Sequence, residues 1–495
     1  MRKVIDPQMK LGEADIASIE LDFCSRDEIP QLLIGLQEIY CNQETRAAVF
    51  QALEETVGAK RDLDNGRPGM ELWKILVLGT LRLVCNWDYD KLREIANNHL
   101  TIRQMLGHSI FDWDQRYALQ TLIDNVSLFT PELYDRINQI VIHHTHRTIG
   151  PKAQKELNAS ADSFVVETNV HFPTDLNLLL DAQGKAISVC MKLCQDLGKS
   201  DWRQGAYQIR RLKRAVRKAS KLKASSCKQP EKQDRRQGQI LQAYQQVLDI
   251  AHEQVGRLWV TLDSIDCSDS HVLYRIEEIQ RYLFHSVRQI DQIQRRVMEG
   301  KIIPHPQKVF SIFEPYTEWI SKGKAGVPVE LGLRVCVVKD QFGLILHHLV
   351  MEHMTDDQVA VPIVRDTKQR FSNLHSCSFD KGFHSQQNQR LLKELLDRVI
   401  LPRKGKLSAA AAAIESDPDF VMARRKHSAV ESAINALENH GLDRCPDRGL
   451  PAFKRYVALA VLARNLQLLG RILQKKRLAA IERAHRKCQR LPLAA

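Results

Sequence analysis

The sequence predicts a mixed α and β chain: a β-rich core interrupted by a long helical insertion and preceded by a helical region. Three observations carry that expectation. Residues 1 to about 150 place apolar side chains at helical spacing. Strand-forming runs appear only in two separated places, at 160–172 and again from 328 to about 402. Between them, from about 176 to about 300, helical periodicity returns.

In the first region, segments 29–57, 70–86, 88–99 and 114–147 have the helical pattern, and Asp64-Asn65-Gly66-Arg67-Pro68-Gly69 is a turn cluster between the first and the rest. Residues 89–107 read as two short helices around a turn. That fits a helix-turn-helix whose second helix enters a major groove, or a packing unit with no DNA role. Ser163 to Val170 contains Phe164, Val165, Val166, Thr168 and Val170, all strand formers. Asp175 is placed to cap the next helix. Lys223 to Gln237, with Ser225, Ser226 and Pro230, reads as a loop or loose linker, and 239–298 as long amphipathic helices. Strand patterning at 328–352 surrounds the turn Lys339-Asp340-Gln341-Phe342-Gly343, a hairpin signal. A helix to about 370, a strand leading to Asp380, a helix at 386–397 and a strand at 398–402 follow. An Ala-rich linker (408–413), a helix bearing Glu431 and an apolar helix (453–473) complete the order. The expected divisions are a helical N-terminal domain (1–150), the first part of the core (151–190), a basic helical insertion (191–327), the rest of the core (328–475) and a basic tail (476–495).

Charge narrows the partners. The 495 residues carry a formal net charge of +13 and are 44% hydrophobic, enough to bury a core. Residues 199–236 hold 14 Lys and Arg against 3 Asp and Glu, so one stretch accounts for nearly all of the excess. Arg210, Arg214, Arg217 and Lys221 recur at spacings of four, three and four, one face of a helix. Such a face is either a solvated charge run or a helix that contacts nucleic-acid phosphates without reading sequence. The eleven cysteines are odd in number and contain no C-x-x-C, which points to a reduced, cytoplasmic chain. The N-terminus lacks an apolar signal core and no run approaches 18 apolar residues, so no membrane segment is expected. His143, His144 and His146 fall at a helix end and are not expected to bind metal.

Three carboxylates stand out. Asp162 lies in A-D-S-F-V-V-E-T, Asp380 in S-F-D-K-G-F-H-S, and Glu431 in H-S-A-V-E-S-A-I-N-A-L-E. Strand, hairpin, helix, strand, helix, strand, helix is the order of a ribonuclease H-like core, with the helical block inserted after the first strand. In that architecture the three acids meet, and three carboxylates at one point are what a two-metal phosphoryl-transfer site needs. Mg²⁺ takes hard oxygen ligands, so Asp and Glu suit it. Glu167 and Glu438 are second choices. His427, four residues before Glu431, shares its expected helix face and either touches the scissile phosphate, orients Glu431 or simply packs. Lys381, Arg403, Lys404 and Lys406 flank the acids as candidate phosphate contacts.

Four blocks in order resemble the bacterial insertion-sequence transposases of the DDE class, in particular the group labelled "not classified yet". V-V-E-T-N-V-H-F-P-T-D resembles the first-acid block, H-P-Q-K-V-F-S-I-F-E-P-Y-T-E-W-I-S-K-G-K with V-E-L-G the central block, and S-F-D-K-G-F-H-S with L-P-R-K-G-K the second. H-S-A-V-E-S-A-I-N-A-L-E-N-H-G-L resembles the third. Phe172 stands where the family has Tyr. The resemblance implies that Asp162, Asp380 and Glu431 hold two Mg²⁺ ions, with Mn²⁺ able to substitute. It implies metal-dependent cleavage at terminal inverted repeats, strand transfer into double-stranded target DNA, a homodimer or higher assembly, and a bacterial, cytoplasmic, nucleoid-associated protein. A catalytically inactive transposase-derived DNA-binding protein and another ribonuclease H-like nuclease are the alternatives.

Overall fold

Strand β1 (Leu157–Thr168) lies inside a mixed sheet of seven strands. The others are β2 (Glu318–Ser321), β3 (Val329–Asp340), β4 (Ile345–Met351), β5 (Leu374–Phe379), β6 (Arg398–Ile400) and β7 (Arg444–Cys445). The order is β2-β3-β1-β5-β6, with β4 also on β3 and β7 on β1. β3 runs antiparallel to β1 and β4, whereas β5 is parallel to β1 and to β6. Val335 to Val338 of β3 are all fully buried, as a strand covered on both faces requires. The chain is thus a mixed α+β protein. The structure is a computed structural model that describes residues 2–58, 69–224, 230–266, 268–321 and 328–489. The turn at 64–68 lies outside the described residues.

Two compact units are present: Met1–Asn169 with Gly332–Ala495, and Val170–Leu331. Residues on both sides of position 150 thus share one unit, and the second unit starts at Val170, ahead of the insertion expected from 191. The reason is packing. Helices Glu28–Cys41, Leu72–Val84 and Pro131–Ile149 lie against the long helix Leu450–Gln489, whose apolar stretch is 72% buried and so serves as an interior element. Two glycines permit the close approach. A Cβ at Gly35 would overlap the Leu466 carbonyl, and one at Gly470 the Gln31 carbonyl.

Buried polar contacts fix the sheet to these helices. Asn465 Nδ2 donates to Asn138 Oδ1 (2.7 Å) and to the Ile345 carbonyl (3.0 Å), and its Oδ1 accepts the Ile345 N–H (3.0 Å). His146 Nε2 bonds the buried Asp340 Oδ2 at 2.7 Å, while Asp340 Oδ1 accepts the Phe342 and Leu344 N–H groups and shapes the expected hairpin turn. His144 bonds Thr45 and Glu38. Two histidines of the triplet are thus spent on structure.

Helices fill the second unit: Asp175–Asp196, Gly205–Ala224, Pro230–Asp263 and Ser270–Ile293 close on a common core that includes Leu179, Ile187, Leu212, Tyr244 and Leu283. Several local expectations change. Thr174, not Asp175, caps the first helix, accepting the Asn177 N–H. The expected linker 223–237 is helical at 223–224 and from Pro230 onward, with 225–229 outside the described residues. The Ala-rich linker is the helix Ala409–Ser416, as high alanine propensity favours once Ser408 caps it. The basic tail continues the last helix to Gln489, and 490–495 lie outside the described residues.

Gly470→Ala is expected to destabilise the first unit by on the order of 1–3 kcal/mol, because the added methyl meets backbone rather than a yielding side chain. Gly256→Ala, with nothing within 4 Å of the added carbon, is expected to be neutral or stabilising. Urea unfolding of the two variants checks the contrast.

Candidate active site

Pairing between β1 and β5 brings the first two acids together. The strands are parallel with Ala161 opposite Phe379, so Asp162 and Asp380 are the next residues along each. Glu431 sits in the first turn of helix Ala429–Leu437, whose buried face of Val430, Ala433, Ile434 and Leu437 packs it against β1. Lys339 of β3 donates to the Ala429 carbonyl (3.0 Å) and holds the start of that helix.

Electrostatics report the convergence. Burial pushes the Asp162 carboxyl up to about 6, and the charges of Asp380, Asp356 and Glu431 push it the same way. The Ser163 N–H, donating to Asp162 Oδ1 at 2.8 Å, acts in the opposite sense.

Asp356 is a fourth acid that sequence reasoning missed. It opens helix Asp356–Arg370, where Thr355 and Gln358 form a capping box. In sequence it reads as an ordinary acid in a first turn. In the fold Ser163 Oγ donates to its Oδ1 at 2.6 Å. A Cβ at Gly382 would lie 3.1 Å from its Oδ2, so the turn after Asp380 passes close to Asp356.

His427 and Glu431 do not share one continuous helix. His427 ends helix Pro418–His427, Ser428 intervenes, and Glu431 belongs to the next helix. His427 Nδ1 bonds Ser378 Oγ (3.0 Å), which bonds Ser160 Oγ (2.8 Å), tying the imidazole to β5 and β1. Its Nε2 is buried and has no hydrogen-bond partner. Burial lowers its pKa, and the nearby charges of Asp380 and Glu431 oppose that.

The flanking cations are placed unequally. Lys381 is exposed beside Asp380, and Lys404 Nζ donates to the Gly382 carbonyl (2.8 Å) of the same turn. Burial, then Arg403 and Lys404, lower the His384 pKa, so both cations lie near that turn. Lys406 is exposed beyond them. Glu167 is engaged by Arg444, at 2.7 Å, across the β1–β7 pair. Glu438 begins the π turn after the Glu431 helix.

In the insertion unit, Arg210, Arg214, Arg217 and Lys221 are all exposed on helix Gly205–Ala224, opposite a buried stripe of Leu212, Ala215, Val216 and Ala219. Among the described residues none of the four has an acid at ion-pair distance, whereas Arg211 pairs with Glu253 at 2.8 Å. Phe172, where the resemblance has Tyr, lies edge-on to Trp319 with ring centroids 5.6 Å apart.

Among the described residues, no three His, Cys, Asp or Glu side chains already stand close enough to share a metal ion. The donor set nevertheless suits Mg²⁺ or Mn²⁺: Asp162, Asp380, Glu431 and the adjacent Asp356 offer only hard oxygens. Burial, with the charges of the neighbouring acids adding to it, disfavours the ionised Asp162, and a bound cation would offset both. No family model matches this chain, and no curated protein or solved structure matches it either.

Because the folded pKa of Asp162 is raised, the native chain holds more proton than the unfolded chain between about 4 and about 6, and stability falls as pH rises through that window. Asp162→Asn keeps the acceptor for Ser163 and removes the charge. Without metal it is expected to exceed wild type in stability at about pH 8 by roughly 1–3 kcal/mol, and to match it near pH 4. Denaturant titrations at the two pH values check this.

Proposed function

We propose that this chain is a DDE transposase that cuts DNA at the ends of its element and joins the freed end to target DNA. The observation that carries the reading is one electrostatic neighbourhood shared by Asp162, Asp380 and Glu431, residues far apart in sequence. Their supports are the expected kind: a central strand, the end of its parallel neighbour, and a late helix packed on the sheet. The partial order β4-β3-β1-β5-β6, antiparallel on one side of β1 and parallel on the other, supports a ribonuclease H-like core.

In this reading Asp162, Asp380 and Glu431 bind two Mg²⁺ ions, or Mn²⁺ in their place. Bound there, the ions supply a deprotonated attacking oxygen and neutralise charge on the scissile phosphate and the leaving oxygen. The chain's own residues do the rest. Ser163 holds Asp162 through its N–H and Asp356 through its hydroxyl. Ser160 and Ser378 fix the His427 ring near Asp380 and Glu431, where it orients the acids. Lys381, Arg403, Lys404 and Lys406 supply cations for the backbone near the cut. Arg210, Arg214, Arg217 and Lys221 grip double-stranded DNA electrostatically. Pairing two ends calls for at least a homodimer, acting on bacterial nucleoid DNA in the cytoplasm.

Labelled DNA carrying the element's own end tests the reading. Wild type with Mg²⁺ is expected to release a 3′-OH at that end. Asp380→Ala is expected to bind the same DNA and cut it at least about a thousandfold more slowly, equivalent to about 4 kcal/mol of transition-state stabilisation. Binding without cutting by both proteins, with any divalent ion, would return the chain to the DNA-binding alternative. At subsaturating Mg²⁺, cleavage is expected to fall about tenfold per pH unit below about pH 6, as protons compete for Asp162.

Each of Arg210→Gln, Arg214→Gln and Arg217→Gln is expected to lower the slope of log affinity against log salt by about one while leaving sequence discrimination unchanged. Fluorescence anisotropy over a salt series reads both.

A further inference from the structure

A cavity lined by several cations lies in the first unit, at the C-terminal end of the Glu431 helix. It is a cavity of about 400 Å³ whose lining includes Arg464 and Arg471 of the long C-terminal helix, His440 and Arg26. Arg464 is largely buried, and its Nη1 donates to the buried Gln467 Oε1 at 2.9 Å, but its Nε has no partner. His440 is only 8% exposed, and its Nδ1 also has no partner. Burial and the neighbouring Arg471 push the Arg464 pKa down to about 10, and no acid acts on Arg464 in the opposite sense. Asp27 and Glu28 also line the cavity. Asp27 Oδ1 is committed to capping the Ile29 N–H at 2.9 Å, and neither acid forms an ion pair with Arg464 or Arg471 among the described residues.

A buried guanidinium left without an anion is costly, and orphaned polar atoms in a native interior call for a partner. A cation is repelled here, and a neutral ligand leaves the charge uncompensated. An oxyanion satisfies the Arg464 Nε, meets the Arg471 fork and accepts from His440 in its Nδ1–H tautomer. Several donors around one space fit a tetrahedral anion with several oxygens.

We infer that this cavity is a phosphate-binding site formed by Arg464, Arg471 and His440, taking either a backbone phosphate of DNA or a free phosphate. His440 lies in the π turn that directly follows the Glu431 helix, and Ala436 of that helix lines the same cavity. Occupation of the cavity therefore stiffens the far end of the element that carries Glu431. The inference does not depend on the catalytic reading.

Pyrophosphate and inorganic phosphate, titrated into the full chain by calorimetry and by thermal shift without divalent metal, test it. Wild type is expected to bind pyrophosphate. Arg471→Gln, at an exposed position where folding is not at risk, is expected to weaken binding about tenfold, and Arg464→Gln at least as much. Arg464→Lys is expected to recover part of the loss. DNA titrations over a salt series distinguish the sources. A slope reduced by about one in Arg471→Gln assigns the site to a backbone phosphate, and an unchanged slope with pyrophosphate binding intact in wild type assigns it to a free phosphate. If wild type binds neither anion and Arg471→Gln leaves the DNA salt slope unchanged, the inference is overturned, whatever the cleavage assay shows.

Discussion

The first unit depends on β1 being held from both sides. Its antiparallel partner β3 pairs from Ala159 to Glu167, and its parallel partner β5 pairs from Leu157 to Ala161. The two sets of hydrogen bonds overlap just before Asp162. That overlap fixes the height at which the carboxylate emerges and the strand beside which it does so. A shift of one residue against β5 would turn Asp162 to the other face of the sheet and separate it from Asp380. A slip of β3 would break the buried bond between His146 and Asp340 at its end.

Glu431 is placed by a longer chain of dependence. Asn465 and Asn138 hold Ile345 at the start of β4, and His146 holds Asp340 at the end of β3. Lys339, adjacent to Asp340, reaches the first carbonyl of the Glu431 helix. The N-terminal helices are therefore part of the support for the third acid. A pattern read along the chain treats residues 1–150 as a separate reader of DNA. Three-dimensional packing ties them to the sheet through Gly35, Gly470 and a few buried amides, none of which has a sequence signature for long-range contact.

Legibility follows the same division. Strands and helices with strong local patterns are close to where the residues put them: the hairpin of β3 and β4, the helix Asp356–Arg370, the strand before Asp380 and the long apolar C-terminal helix. Elements made by context were not visible. β2 and β7 are too short to carry a period, and β7 is a strand only through its backbone pairing with Glu167 and Thr168 of β1. The alanine run at 409–413 looks like a linker to the eye and is a helix by propensity. At the candidate site, the sequence offers Asp162, Asp380 and Glu431 as isolated motifs. Asp356 is not among them, because a first-turn acid after a Thr cap is adequately explained by the helix itself, and only the fold sets it beside Ser163 and Gly382.

The site's internal conflict is an argument about what it is for. Burying Asp162 among Asp380, Asp356 and Glu431 works against folding wherever all are ionised, and no cation of this chain forms an ion pair with Asp162, Asp380 or Glu431 among the described residues. Structural acids in the same unit are treated differently: Glu167 is met by Arg444, Asp447 by Arg82 and Arg455, and Asp340 by His146. A fold that pairs these structural carboxylates leaves Asp162, Asp380 and Glu431 without an ion-pair partner among the described residues. In the proposed reading divalent cations take that place, and their binding offsets the cost of ionising Asp162 where it is half-buried. In the cavity lined by Arg464 and Arg471, likewise, neither arginine forms an ion pair with Asp27 or Glu28 among the described residues. In the proposed reading the two places serve one phosphodiester reaction, the acids holding metal and the arginines holding phosphate.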